Sequence, residues 1–149
     1  MGTTAPGHPR TVIFLDTNVL IYSSEDGSRY QDWAQGIIAD AVSGDGAAIN
    51  AICLAEICVG DEFPETVADR IRSWGVEVLD VPAAAAEICA VAYGRYRERR
   101  REQSGKDSPR TPLPDFFIGA HAQVMGWMLA SADSSRIKTY FPSLQLLSP

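Results

Sequence analysis

Four acidic residues that follow apolar segments are the positions in this chain best suited to chemistry: Asp16, Glu56, Asp115 and Asp133. Two carboxylates about 4 Å apart repel by roughly 4 kcal/mol at an effective dielectric near 20, so a pocket that gathers several needs protons or cations. Carboxylate oxygens are hard ligands that select Mg²⁺ or Mn²⁺. Such ions contact phosphate oxygens and turn water into a nucleophile. If the four carboxylates converge, they predict metal-assisted phosphodiester hydrolysis.

Each of these acids also has a structural explanation. An Asp at a strand end or a helix start is common because it forms turns and caps, which covers Asp115 and Asp133 taken singly. Glu56 lies in the otherwise apolar segment 52–59, where a lone glutamate is costly to bury, and Asp16 directly follows an apolar strand. From the residues alone, a shared site and four separate structural roles both stay open.

The elements that must position these acids alternate between strands and helices. Residues 11–15 are apolar after the first, which is typical of a strand buried on both faces of a parallel sheet. Further strands are predicted at 47–52, 76–81, 127–131 and, as a fifth, 143–147. Helices are predicted at 29–42, 54–59, 64–74, 83–102 and 114–126, with an exposed loop at 103–112. This alternation predicts an α/β sandwich around a mainly parallel sheet.

The acids fall where such a sheet places its ligands, beyond the carboxyl ends of the strands. Asp16 ends the first strand, and Asp133 follows the fourth. Glu56 is predicted on the first turn of the helix after the second strand, and Asp115 begins a helix after Pro114. We therefore expect the four side chains to meet at one edge of the sheet.

The length of 149 residues suits one domain over residues 11–149 preceded by a flexible leader at 1–10. The leader lacks the apolar stretch of a signal peptide, and no apolar run reaches the roughly 18 residues that span a bilayer. A cytoplasmic protein without membrane contact is expected. The three cysteines match no zinc spacing and are interpreted as small buried hydrophobes.

The net charge of -6 counts against nucleic-acid binding, but the basic residues are unevenly distributed. Seven of the thirteen Lys and Arg residues lie between residues 95 and 110. The run from Arg95 to Arg101 would grip RNA phosphates, with Tyr93 and Tyr96 stacking on bases. It also fits a solvated helix end or a docking site for an acidic segment of a protein partner, and these alternatives stay open.

Four segments of the chain resemble the PIN-domain family, and in particular the VapC-type toxins of bacterial toxin–antitoxin pairs. They occur in the family's order from residue 12 to the C-terminus. The segments are Phe14-Leu-Asp-Thr-Asn-Val-Leu-Ile-Tyr22, Ala55-Glu-Ile-Cys-Val-Gly60, Leu113-Pro-Asp-Phe-Phe-Ile-Gly-Ala-His-Ala122, and Leu129-Ala-Ser-Ala-Asp133 followed by Tyr140-Phe-Pro142. The first and third are specific, whereas the glutamate segment alone would be weak.

The resemblance implies a three-layer α/β/α PIN-like fold and endoribonuclease activity dependent on Mg²⁺ or Mn²⁺. It also implies an RNA substrate, inhibition by a cognate VapB-like antitoxin, and a homodimer. Carried over by position, Asp16, Glu56 and Asp115 match the three core acids, and Asp133 matches the more variable fourth. Asn18 and Ser131 match supporting polar positions. The family's last motif often reads Thr-Arg-Asp, so the basic residue is missing here, where Ser131-Ala-Asp133 stands.

Most other functions require residues that this sequence lacks. A phosphoaspartyl phosphatase or a receiver domain would want a second acid shortly after Asp16, where Asn18 stands, and Lys138 would be the receiver's late lysine. A Rossmann domain would need a Gly-rich phosphate loop, which follows no strand. A catalytically idle PIN-like module that only binds RNA or a partner stays open. His121 is predicted to be a packed helix residue rather than a ligand.

Overall fold

The computed structural model describes residues 11–104 and 111–149, which fold around one five-stranded sheet. The strand order is β3-β2-β1-β4-β5, and every neighbouring pair is parallel. All four residues of β2 are buried, so both faces of the sheet are covered. The strands are β1 Ile13–Leu15, β2 Ala47–Asn50, β3 Val76–Leu79, β4 Met128–Ala130 and β5 Leu146–Leu147. The predicted α/β fold with a parallel central sheet is confirmed.

Seven α-helices connect and flank these strands within the described residues. They are α1 Thr17–Ser24, α2 Gln31–Ser43, α3 Ala51–Val59, α4 Val67–Ser73, α5 Ala85–Ser104, α6 Leu113–Met125 and α7 Ser134–Tyr140, with a short 3-10 helix at Pro64–Thr66. The sequence analysis missed α1 and α7. Both are short, at eight and seven residues, so neither shows a long apolar period. Each begins directly after an acid of the candidate site.

The boundary between β2 and α3 differs from the prediction. The strand ends at Asn50, whose Oδ1 accepts hydrogen bonds from the backbone N–H groups of Ile52 and Cys53, both at 3.0 Å. This side-chain cap starts α3 at Ala51, three residues earlier than predicted. Glu56 therefore lies in the second turn of α3 and not in its first.

The core lies on both sides of β1, the central strand, and is rich in aromatic side chains. Phe14, Phe116 and Phe141 are fully buried. Gly119 of α6 lets Phe141 approach closely, because a Cβ built at this glycine would lie 2.6 Å from the ring of Phe141. Within the described part of the chain, no helix combines the length and the apolarity needed to cross a membrane.

The predicted leader at 1–10 and residues 105–110 of the predicted loop lie outside the described residues, and so do Lys106 and Arg110 of the basic segment.

Candidate active site

Asp16 lies directly after β1, and only 3% of its surface is exposed. Its Oδ1 accepts a hydrogen bond from the backbone N–H of Thr17 at 2.8 Å, which makes Asp16 the N-cap of α1. Its Oδ2 accepts a 2.7 Å hydrogen bond from the hydroxyl of Ser131. The register of β1 and β4 pairs Leu15 with Ala130, so Asp16 and Ser131 are the next residues of two adjacent strands. The strand register therefore determines this contact.

Asn18 extends this contact into a small network. Its Nδ2 donates to Oδ2 of Asp16 at 3.4 Å and to Oγ of Ser131 at 3.5 Å. Its Oδ1 accepts from the backbone N–H of Ala132 at 3.1 Å. The hydroxyl oxygen of Ser131 also accepts from the backbone N–H of Asp133 at 3.0 Å. The structure thus brings Asn18 and Ser131 to Asp16, and these bonds fasten the loop after β4 to the start of α1.

Glu56 joins the site from α3. The hydroxyl of Thr17 donates to Oε1 of Glu56 at 3.2 Å. Thr17 therefore contacts two acids of the site, Asp16 through its backbone N–H and Glu56 through its hydroxyl. Glu56 is exposed at its solvent side, so the apolar segment around it does not enclose the whole carboxylate. The sequence analysis also missed Thr17, although its hydroxyl stands directly beside the first acid in the sequence.

Arg136 of α7 joins the remaining acids. Its Nη2 lies 3.5 Å from Oδ2 of Asp16, and its Nη1 lies 3.5 Å from Oδ2 of Asp115 and 3.3 Å from Oδ2 of Asp133. The side chain is only 14% exposed, and its buried Nε has no hydrogen-bond partner among the described residues. The sequence analysis missed this residue. The available signal was the i,i+3 spacing of Asp133 and Arg136 on one short helix.

The last motif lacks the family's basic residue, but positive charge reaches the acids from another position. Position 132 is alanine, but a guanidinium reaches the acids from position 136. By contrast, Lys138 on the same helix is exposed.

Three carboxyl groups of the site, those of Asp16, Glu56 and Asp115, have raised pKa values. Burial is the largest cause of the raised pKa of Asp16, and the contacts with Ser131, Arg136 and Thr17 oppose it. Burial also raises the pKa of Glu56, followed by repulsion from the charge of Asp115. Burial raises the pKa of Asp115 as well, against the lowering effect of Arg136. The charge of Arg136 therefore opposes the effect of burial on these carboxyl groups without reversing it.

The donor atoms of the site fit a hard divalent cation, because they are carboxylate oxygens. Among residues 11–104 and 111–149, however, no group of three or more Asp, Glu, His or Cys side chains is arranged so that it could hold a metal ion. Asp16, Asp115 and Asp133 are grouped around the guanidinium of Arg136 instead. The chemistry of the donors fits Mg²⁺ or Mn²⁺, and their positions would have to tighten around it.

His121 lies apart from the acids, as predicted. It is buried in α6, and its Nδ1 lies 3.2 Å from Nδ2 of Asn50, the residue that caps α3. Burial lowers the pKa of its imidazole. His121 therefore links α6, which carries Asp115, to the cap of α3, which carries Glu56.

The structure excludes one expected contact with RNA. Tyr96 is buried, its hydroxyl accepts a 2.8 Å hydrogen bond from the backbone N–H of Thr111, and its ring packs against Phe116 and Tyr140. It is therefore unavailable for base stacking. Tyr93 is half-buried against Phe116. Binding of RNA phosphates by the run from Arg95 to Arg101 stays a prediction.

The sequence matches the PIN domain model over residues 13–141, and the chain belongs to the PIN-domain family. Among curated proteins no match is found. The fold is similar to that of solved toxin–antitoxin proteins. VapBC2 from Rickettsia felis, bound to a promoter DNA fragment, matches with 22% identity and a TM-score of 0.61, covering 93% of this chain and 98% of that chain.

Two further structures show the same similarity of fold. VapBC-1 from nontypeable Haemophilus influenzae has 23% identity and a TM-score of 0.60, with 93% of this chain and 98% of that chain covered. VapC20 from Mycobacterium tuberculosis, described as a Sarcin–Ricin loop cleaving toxin, has 17% identity and a TM-score of 0.56 over 83% of this chain and 92% of that chain.

Proposed function

We propose that this chain is an endoribonuclease dependent on Mg²⁺ or Mn²⁺ that acts as the toxin of a toxin–antitoxin pair. The observation that carries the proposal is the grouping of Asp16, Glu56, Asp115 and Asp133 from four separate segments at the carboxyl edge of a parallel sheet. Membership in the PIN-domain family and the described activity of the similar VapC20 support RNA as the substrate.

The four acids would hold the ion, with Asp133 at the exposed rim. When bound, a divalent ion neutralises charge on a phosphate and lowers the pKa of a coordinated water. The residues of this chain prepare the site for that chemistry. Ser131 and Asn18 fix the orientation of the Asp16 carboxylate, and Thr17 holds one oxygen of Glu56. Because Glu56 and Asp133 reach solvent, a polynucleotide can approach from that side.

The decisive test is cleavage of a structured RNA by the purified chain with Mg²⁺ or Mn²⁺, with and without a chelator. We expect cleavage that the chelator stops and that Asp16→Asn reduces by at least about a hundredfold. Asp32→Asn is the matched control, because Asp32 is an exposed acid on α2. Cleavage that survives in Asp16→Asn, or that ignores the chelator, contradicts the proposal. Binding of RNA without any cleavage would favour the catalytically idle module.

A VapB-like antitoxin is the proposed protein partner. Two of the structures that share this fold are described as VapBC complexes. In this chain, a groove of about 450 Å³ between α1, α3 and α4 offers a binding surface for such a partner. Its lining includes Ile21 and Trp74, which are 45% and 43% exposed, and it also includes Glu56. An occupant with apolar and basic side chains would fit the groove and reach the acidic site.

Co-expression with the product of a small open reading frame directly upstream tests this partner. We expect the two chains to purify together. The double variant Ile21→Glu and Trp74→Glu should fail to form the complex but should still cleave RNA. Val91→Glu is the control, because Val91 is exposed on α5, outside the groove. A complex that forms equally well with the double variant would contradict docking in this groove.

The homodimer and the cytoplasmic location also belong to this proposal. Both follow from the resemblance to VapC-type toxins and from the features of the sequence. Light scattering on the purified chain measures its oligomeric state directly. A monomer at micromolar concentration would contradict the dimer.

A further inference from the structure

We propose that Arg136 is a built-in counter-ion that holds the acidic site together without a metal and competes with the divalent cation for the same carboxylates. This inference is built on the metal site of the proposed function and assigns a role to a residue outside the acidic set. Its starting point is the placement of one guanidinium within 3.5 Å of Asp16, Asp115 and Asp133.

The geometry of these contacts is that of charge pairing without tight hydrogen bonding. The three N···O distances are 3.3 to 3.5 Å, longer than the roughly 2.7 to 2.9 Å of a charge-assisted hydrogen bond. The Nε of Arg136 is buried and meets no hydrogen-bond partner within residues 11–104 and 111–149. An arginine with a purely structural role would be expected to donate two parallel hydrogen bonds from its planar guanidinium to one carboxylate. Here the guanidinium is shared among three acids and bound closely by none.

The backbone around Arg136 is held firmly, so the guanidinium stays near the acids. Ile137, the next residue, is buried, and its carbonyl accepts a 2.8 Å hydrogen bond from the backbone N–H of buried Phe141. The side chain of Arg136 is itself largely covered. Positive charge is therefore built into the site by α7.

A divalent cation and this guanidinium need the same oxygen atoms. Oδ2 of Asp16 and Oδ2 of Asp115 both face Arg136, and these two acids belong to the proposed ligand set. Like charges a few ångströms apart repel, so the entry of a cation requires Arg136 to withdraw toward Asp133 at the exposed rim. The affinity for metal is then lower than four carboxylates alone would provide, and the metal-free protein is more stable than it would be without Arg136.

The test compares Arg136→Gln with Lys138→Gln, which removes the same charge from an exposed position on the same helix. Mn²⁺ binding is measured by electron paramagnetic resonance or calorimetry, and the melting temperature is measured in EDTA. We expect Arg136→Gln to bind Mn²⁺ at least about fivefold more tightly, the effect in bulk water of a unit charge about 8 Å from a divalent ion, and to melt at a lower temperature in EDTA. Lys138→Gln should change neither.

Unchanged or weaker Mn²⁺ binding by Arg136→Gln would overturn the inference, and so would an equal or higher melting temperature in EDTA. If the Gln variant fails to fold, Arg136→Met serves instead, because it removes the charge and keeps a long side chain. Its Mn²⁺ affinity should exceed that of the wild type, and an equal or weaker affinity overturns competition. Wild-type protein that binds no Mn²⁺, or binds it equally well as Asp16→Asn, refutes the metal site itself and not only the role of Arg136.

Discussion

The hydroxyl of Ser131 donates a 2.7 Å hydrogen bond to Oδ2 of Asp16, although the two residues are 115 positions apart. The bond spans the ends of the adjacent parallel strands β1 and β4. It is one of the contacts that oppose the effect of burial on the pKa of Asp16. The Ser131 hydroxyl therefore helps to keep this buried carboxyl in the ionised form that a cation would need.

Replacing Ser131 by alanine should lower RNA cleavage by roughly ten- to a hundredfold. A hydrogen bond to a charged group contributes about 1.5 to 3 kcal/mol, and roughly 1.4 kcal/mol in the barrier corresponds to a factor of ten. The measurement is the cleavage rate at saturating Mg²⁺, compared with Ser135→Ala, an exposed serine of α7. Full activity in Ser131→Ala at an unchanged melting temperature would show that this bond does not position the acid.

Stabilisation by Mg²⁺ should grow as the pH rises from the acid range to neutral. The pKa values of Asp16 and Asp115 are raised above 3.8 and that of Glu56 above 4.5, so the folded metal-free protein binds more protons than the unfolded chain in the window above these values. Its stability therefore falls as the pH rises through that window. A cation needs the ionised carboxylates and offsets this loss, by about 2.7 kcal/mol at a hundred times its dissociation constant.

Melting curves in EDTA and in Mg²⁺ between pH 5 and pH 8 check this dependence. A shift caused by Mg²⁺ that has the same size at every pH would contradict binding at these carboxyl groups.

His121 should make the folded protein less stable as the pH falls, which is the reverse of the dependence expected for the three carboxyl groups. Burial lowers the pKa of its imidazole below 6.5, and its Nδ1 can accept from Nδ2 of Asn50 only while the ring is neutral. Below about pH 6.5 the unfolded chain therefore binds the proton first, and stability falls by up to about 1.4 kcal/mol per pH unit. Urea unfolding at several pH values, for the wild type and His121→Gln, isolates this contribution as the difference between the two slopes. Parallel slopes would refute it.

Two glycine-to-alanine substitutions should have opposite effects on stability. Gly119→Ala places a Cβ 2.6 Å from the buried ring of Phe141 and should destabilise the protein by about 1 to 3 kcal/mol. Gly36→Ala lies in α2, where a Cβ meets nothing within 4 Å, and should stabilise it by about 0.5 to 1 kcal/mol. Thermal unfolding distinguishes them. Adding Phe141→Leu should recover part of the stability that Gly119→Ala loses. If it recovers none, the contact between the new Cβ and the ring of Phe141 is not the cause of the loss.

The sequence by itself determined the layout of the fold. Apolar runs bounded by turns located the five strands, and their alternation with helices predicted the parallel sheet that is observed. It also named Asp16 as a core acid and Ser131 as a supporting hydroxyl, because both match family positions. Local patterns suffice for such predictions, since the period and the ends of an element depend on nearby residues.

The tertiary structure alone decided how the side chains meet. The cap of Asn50 moved the start of α3, so Glu56 lies in the second turn of this helix and not in the first turn, where the sequence had predicted it. The short helix α7 brought Arg136 among acids that lie 3, 21 and 120 positions away in the chain. Contacts of this kind depend on strand register and helix packing, which join distant segments and leave no periodic signal in any one of them.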